Sequence, residues 1–211
     1  MSGREVILLN GSPKRGEGSS VLLLRMLAQE MGGEGRILSG RDRPVPTAAS
    51  ALVISAPLYV DGLPSHLLEY LIEAAEAHCF PARMPVYGII NCGFYEGRQT
   101  EPAFLILRNW CARADLRFCG GIGVGGSGML SIRRAVSQGW PRRAICRELA
   151  ALAKRVKYGA DGEILYLNPS VPRSVYRFGA EISWRCQIRA AGLAARELNS
   201  RPQPDHAGRM V

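Results

Sequence analysis

The chain has 211 residues, of which 47% are apolar, and a formal net charge of +9. This length accommodates one domain with a full core and an appendage, and a second independent domain would be cramped. No stretch approaches the roughly 18 consecutive apolar residues that cross a bilayer, and the first residues show no signal-peptide pattern, so we expect a cytoplasmic protein without a membrane span.

The positive charge is concentrated in the C-terminal third. Through Ile132 the chain has 12 basic and 12 acidic residues, whereas from Arg133 onward it has 15 and 6. A region of this kind suits nucleic acid, an anionic membrane surface, a phosphorylated cofactor or an acidic partner, although an arginine-rich solvated face is the common case. The six cysteines lie far apart, with no CxxC pair or Cys/His cluster, so no metal site is predicted.

The first element of interest is a strand, loop and helix near the N-terminus. The apolar run Val6–Leu9 predicts a buried strand, and a helix is predicted after Ser19-Ser20. Free N–H groups at a helix start favour an anion, and the intervening loop carries hydroxyl and cationic side chains. The loop therefore predicts either a phosphate site formed by Ser12, Lys14, Ser19 and Ser20 or an ordinary turn in which the serines cap the helix.

Further along the chain, residues 34–38 predict a short second strand. Three stronger apolar runs predict central strands of a parallel sheet, namely Ala51–Ala56, Met84–Asn91 and Leu116–Cys119. Each is followed by a distinctive loop, and helices are predicted after the first two, from Pro64 and Thr100. The loops include Pro57–Pro64, Cys92–Gly97 and the glycine run Gly120–Gly128.

The glycine run contains a formal GxGxxG, but it comes late in the chain and has no acidic residue about 20 positions on, so a dinucleotide fingerprint is rejected. A helix is predicted from Gly139-Trp140-Pro141 to Gly159. The segment Val171–Leu193 has an apolar stripe among its arginines. We therefore expect a domain over residues 1–160 and a basic helical extension over 161–211.

Strands that alternate with helices predict an α/β fold with helices on both faces of a parallel sheet. Ligands of such sheets bind outside the carboxyl ends of the strands, where all four loops would meet. A phosphate loop, exposed aromatic residues at Tyr59, Phe94 and Tyr95, and a glycine-rich wall that includes Gly125 fit a flat, singly phosphorylated ligand. Flavin mononucleotide (FMN) is the obvious candidate.

Three motifs resemble the flavodoxin-like, NAD(P)H-dependent FMN reductase family, over roughly residues 4–160. They are Asn10-Gly11-Ser12-Pro13-Lys14, Pro57-Leu58-Tyr59-Val60-Asp61-Gly62-Leu63-Pro64 and Asn91-Cys92-Gly93-Phe94-Tyr95-Glu96. The resemblance implies a doubly wound five-stranded sheet of order 2-1-3-4-5. Relatives commonly have Arg at the position of Lys14, and Ser-Asn-Ser where this chain has Gly18-Ser19-Ser20.

The resemblance also implies the site. The first loop would hold the FMN phosphate through Ser12, Lys14, Ser19 and Ser20. The second would lie along the ribityl chain and ring, and the third would meet the polar edge of the flavin. The residues implied in these two loops are Pro57, Leu58, Tyr59, Asp61, Gly62, Asn91, Gly93, Phe94 and Tyr95.

The implied function is hydride transfer from NADH or NADPH through flavin to a small-molecule or protein electron acceptor. No catalytic acid or base is required of the protein, since the cofactor carries the chemistry, and His66 is interpreted as a surface or capping residue. The alternative is a flavin-binding electron-transfer or regulatory protein without NAD(P)H turnover. A third hypothesis is a protein that no longer binds flavin and uses its basic tail to bind a partner protein or nucleic acid.

A homodimer is expected, because it would bury apolar residues of the C-terminal segment. No specific nucleic-acid binding is predicted, because the tail has no RNA-binding signature. Contact of the basic tail with a membrane surface is the less favoured alternative.

Overall fold

The structure, a computed structural model, describes residues 5–14, 18–43, 49–128, 143–194 and 196–197. Its centre is a parallel sheet of six strands in the order β2-β1-β3-β4-β5-β6. The strands are β1 (Val6–Asn10), β2 (Arg36–Ser39), β3 (Ala51–Pro57), β4 (Pro85–Asn91), β5 (Arg117–Val124) and β6 (Ile164–Leu167). The helices are α1 (Ser19–Glu30), α2 (Ser65–Glu76), α3 (Glu101–Arg113), α4 (Arg143–Tyr158) and α5 (Arg173–Ala190).

The central strands are buried because helices cover both faces of the sheet. Leu23, Leu24 and Leu27 of α1 share one apolar cluster with Leu149 and Leu152 of α4. The apolar residues of α2 and α3 form the cluster on the other face, including Leu67, Leu71, Phe104 and Leu107. The predicted α/β sandwich with a parallel sheet is therefore confirmed.

The predicted number of strands is wrong, because the sheet has six strands and not five. Ile164–Leu167 forms β6, which extends the order 2-1-3-4-5 by one strand and pairs in parallel with Gly121–Val124. This strand has only four residues and none of them is fully buried. It therefore lacks the long apolar run by which the central strands are recognised.

Strand β5 also extends further than the sequence predicts, through Gly120 and Gly123 to Val124. These glycines belong to the strand, because β5 packs so closely on β4 that a side chain has no room. A Cβ added to Gly121 would lie 2.2 Å from the carbonyl oxygen of Gly88 on β4. The predicted helix start at Gly139-Trp140-Pro141 lies outside the described residues.

The chain divides into two compact units, residues 1–170 and 171–211. The first contains the whole sheet and α1 to α4. The second contains α5, an 18-residue helix in which no residue is buried. Within the described part of the chain, no helix combines the length and the apolar character that crossing a bilayer requires.

Candidate functional site

The candidate site lies at the carboxyl edge of the sheet, where the chain reverses its direction of winding. From β1 the chain passes to β2 on one side and then to β3 on the other. Helices α1 and α2 follow β1 and β3 on opposite faces. This arrangement opens a crevice between the β1 and β3 loops, which is where doubly wound sheets bind ligands.

The loop after β1 is folded by its own polar groups. The Asn10 side-chain oxygen accepts from the Ser12 backbone N–H at 3.1 Å, and the Ser12 hydroxyl accepts from the Lys14 N–H at 3.3 Å. Gly18 precedes α1 in an extended conformation and provides no side-chain cap. The first N–H groups of α1 are therefore not satisfied by a capping side chain at this position, a local arrangement that favours an anion.

Ser19 and Ser20, also predicted to hold the phosphate, bind neighbouring parts of the fold. The Ser19 hydroxyl donates to the Ser127 carbonyl at 3.0 Å. The Ser20 hydroxyl is buried and accepts from the Asn91 side-chain amide at 2.8 Å, and that amide also donates to the Ala56 carbonyl. The hydroxyl of Ser20 and the amide of Asn91 thus connect α1 to the ends of β3 and β4.

Arg41 is a residue of this region that the sequence analysis did not identify. It lies in a 3-10 turn, Gly40–Asp42, directly after β2. Its guanidinium donates to the Pro13 carbonyl at 2.7 Å, so it reaches the loop after β1 from the neighbouring strand. Nothing in the local sequence pattern signals this contact, because Arg41 and Pro13 are 28 residues apart.

Arg41 also lies close enough to the first turn of α2 to influence His66. Burial and, secondly, the Arg41 charge lower the pKa of His66, so its imidazole is neutral at pH 7. In the described part of the chain, its Nε2 atom is buried without a hydrogen-bond partner. Arg41 therefore contributes positive charge to this corner of the site.

The loop after β3 forms a tight, rigid turn. Tyr59 and Gly62 exchange two backbone hydrogen bonds, of 3.0 and 2.9 Å. Between them Val60 and Asp61 both adopt positive φ angles, 46° and 55°, which is strained for a β-branched residue such as Val60. Pro57 ends the strand and Leu58 is buried, whereas the Tyr59 side chain is 45% exposed and available for a ligand to stack on.

The loop after β4 is held from three sides. The Phe94 carbonyl accepts from the Gly126 N–H at 2.6 Å, and the Tyr95 hydroxyl donates to the Pro169 carbonyl at 3.5 Å. The Gly97 N–H donates to the Asn168 side chain at 2.9 Å. Gly93 lies in this loop, and the Phe94 ring is 55% exposed. The loop thus presents an aromatic ring on a fixed backbone.

Gly125 allows this loop to approach β5. A Cβ at Gly125 would lie 2.3 Å from the Tyr95 carbonyl oxygen and 2.7 Å from the Gly97 nitrogen, so a side chain is excluded by contact with protein backbone. The sequence analysis did not identify Asn168 or β6, which support the same loop from the other side. Their contribution depends on a strand pairing that has no local signature.

The cysteine of this loop, Cys92, is buried. Burial raises the pKa of the Cys92 thiol, which therefore remains protonated at neutral pH. No group of three His, Cys, Asp or Glu side chains that could hold a metal ion occurs among the described residues. The chemistry that this edge of the sheet offers is binding by N–H groups, cations and aromatic rings.

No protein-family model and no curated protein sequence matches this chain. Solved structures do share its fold. A flavodoxin from the domain Archaea matches with a TM-score of 0.51 and 10% identity, over 72% of this chain and 99% of the flavodoxin. An NADH:FMN oxidoreductase (EmoB, apo form) matches with a TM-score of 0.54 and 12% identity, over 76% of this chain and 92% of the enzyme.

The rubredoxin oxygen:oxidoreductase of Desulfovibrio gigas also matches, with a TM-score of 0.53 and 13% identity over 74% of this chain. This chain spans only 35% of that protein's length. At such identities the likeness establishes the fold, which is flavodoxin-like. The structural neighbours, oxidoreductases and a WrbA-like flavodoxin among them, are consistent with the family that the sequence motifs resemble.

Proposed function

We propose that the protein is an FMN-dependent oxidoreductase that passes hydride from NADH or NADPH through bound flavin to an electron acceptor. The observation that carries this proposal is the meeting of three features at one sheet edge. These are an α1 N-terminus without a side-chain cap at Gly18, a cation at Lys14, and exposed aromatic rings at Tyr59 and Phe94. Phosphate and a flat ring are the two ends of FMN.

The residues present fit this cofactor. The phosphate would be held by the Ser12 and Lys14 loop and by the N–H groups at the start of α1. The ring would lie against the loops that carry Tyr59 and Phe94, whose backbones are fixed by the hydrogen bonds described above. Bound FMN would supply the redox chemistry, namely hydride uptake and electron transfer to a second substrate.

The protein's own tasks are binding and orientation. The hydrogen-bonded loops after β3 and β4 present Tyr59 and Phe94 from a fixed backbone, so a nicotinamide and a flavin could be stacked there without reorganisation of the backbone. Backbone N–H groups at the sheet edge can donate to the polar rim of the ring. Neutral His66 and protonated Cys92 contribute no charge of their own to the reaction.

The comparisons support the coarser part of this proposal. One structural neighbour is named as an NADH:FMN oxidoreductase, and others are named as oxidoreductases or flavodoxins. Flavodoxins bind FMN at the β1/β3 switch point. The flavodoxin neighbour also favours the second candidate function, a flavin-binding electron carrier or regulator that does not oxidise NAD(P)H.

Absorption spectroscopy and a turnover assay test the proposal. After reconstitution with FMN and removal of the unbound FMN, the purified protein should have a flavin absorption spectrum. Addition of NADH or NADPH under anaerobic conditions should bleach the flavin absorption. Steady oxidation of either nucleotide with an added acceptor would establish the enzyme. Flavin binding without bleaching would favour the carrier, and a colourless protein that cannot be reconstituted would refute both.

A further inference from the structure

A second cleft lies along the β5–β6 edge of the sheet, and its lining shares no residue with the proposed flavin site. This cleft of about 680 Å³ lies between α3 and the β5–β6 edge, and it is lined near the start of β5 by Arg117 and Phe118. Arg117 lies about 20 Å from Val124 at the usual rise per residue, and the lining extends along the edge to Tyr166, which pairs with Gly123. The candidate flavin site lies beyond Val124. We refer to this space as the arginine cleft. Its lining includes Arg83, Arg108, Arg117, Phe118, Glu163 and Tyr166.

The arginine cleft has a surplus of positive charge. It is lined by three arginines and one carboxylate, Glu163. Arg117 is already neutralised, because it pairs with Asp161 and donates to the Gly159 carbonyl at 2.7 Å. Within the described part of the chain, Arg83 and Arg108 form no ion pair. Two guanidinium groups are thus left to bind an anion. Each presents several N–H donors in a planar, fixed geometry that matches a phosphate or carboxylate.

The walls of the arginine cleft are aromatic and firmly packed. The Arg108 guanidinium lies 5.8 Å from the centre of the Phe118 ring, a cation–π distance. The rings of Phe118 and Tyr166 both pack on the buried Phe104, with centroid distances of 6.4 and 6.2 Å. A flat ligand would therefore meet an aromatic surface that is in place before binding.

At the rim of the cleft, the backbone of Arg83 has an unusual conformation that is held by a hydrogen bond. Arg83 and Asp115 both have positive φ angles, 60° and 52°, and the Arg83 N–H donates to the Asp115 carbonyl at 2.7 Å. Residues other than glycine seldom adopt this conformation, and it persists where surrounding contacts determine it. The Arg83 side chain thus starts from a fixed point beside Leu116 and Arg117.

We propose that the arginine cleft binds a mononucleotide, with its phosphate on Arg83 and on Arg108, whose guanidinium lies over the Phe118 ring, and with its base against the Tyr166 ring. Two free guanidinium groups select for phosphate, and a fixed aromatic surface selects for a planar base. The cleft's volume of about 680 Å³ lies in the range of pockets that bind small-molecule ligands. No chemical step is assigned to the site, which would sense or hold the nucleotide.

Calorimetric titration of the full-length protein with AMP, adenosine and inorganic phosphate tests this inference. AMP should bind at least about tenfold more tightly than either fragment, since the site contacts both of its ends. The double variant Arg83→Ala/Arg108→Ala should lose at least about tenfold of the AMP affinity. Arg113→Ala, a control on the same helix outside the lining, should bind AMP as the wild type does.

A further variant separates this site from the proposed flavin site. Ser12→Ala/Lys14→Ala should weaken FMN but leave AMP binding in the arginine cleft intact. Loss of AMP binding in that variant, or its survival in Arg83→Ala/Arg108→Ala, would overturn the inference. Equal affinities for AMP and phosphate would overturn it too, because the aromatic wall would then contribute nothing. These outcomes do not depend on whether the protein binds flavin.

Discussion

Arg41 provides a test of the phosphate site at the level of a single residue. Its contact with the Pro13 carbonyl places a guanidinium beside a loop in which Lys14 stands where relatives commonly have Arg. If the loop holds the FMN phosphate, Arg41→Ala should weaken FMN binding by about tenfold, the value of one charge-assisted contact. Riboflavin, which lacks the phosphate, should bind both proteins equally. Quenching of flavin fluorescence measures both affinities.

Arg43 offers a matched control for this experiment, since it belongs to the same bend of the chain. Its guanidinium pairs with Glu73 and lies 3.6 Å from Glu69, so its charge is already compensated. Arg43→Ala should therefore leave FMN affinity unchanged. An equal loss for FMN and riboflavin in Arg41→Ala would show that Arg41 only supports the loop, and an unchanged FMN affinity would remove it from the site.

Strand β6 is the element whose role the structure changes most. Asn168, directly after this strand, accepts from the Gly97 N–H at 2.9 Å and so holds the loop that carries Phe94. Asn168→Ala should lower the free energy of unfolding by about 1 kcal/mol and speed hydrogen exchange at Gly97. Asn168→Asp keeps the acceptor oxygen and should restore protection.

Chemical denaturation and amide exchange by NMR measure the two effects. If Gly97 exchanges equally slowly in the wild type and in Asn168→Ala, the loop is held by its contacts with β5, and Asn168 is dispensable. If flavin is bound, the same variant should also weaken it, since a looser loop must be ordered on binding.

The sequence was sufficient to predict the elements whose signal is local. The apolar runs of β1, β3 and β4 identify central strands, and the polar loops at their ends mark the edge of the sheet where the candidate site lies. It was insufficient where a role depends on distant partners. The glycines of β5 look like a loop until β4 is seen to pack against Gly121, and Arg41 looks like a surface residue until it is seen to reach Pro13.

At the scale of the whole molecule, the second unit supplies exposed apolar surface that the fold of the first does not require. In α5, Val175, Phe178 and Ile182 follow helical spacing and are between 47% and 68% exposed. Burying such a side chain is worth about 1.5–3 kcal/mol. We therefore predict that the protein is a homodimer through this face of α5.

Analytical ultracentrifugation of the full-length protein checks this prediction. The wild type should be dimeric at micromolar concentration, and Phe178→Glu/Ile182→Glu should be monomeric, because charged side chains resist burial in an apolar contact. Gln187→Glu adds negative charge to the same helix on the face opposite the apolar stripe and should remain dimeric. Added salt should strengthen the dimer by screening repulsion between the arginines of the two helices, such as Arg177 and Arg189. A wild-type monomer, or a dimer that survives Phe178→Glu/Ile182→Glu, would contradict the assignment.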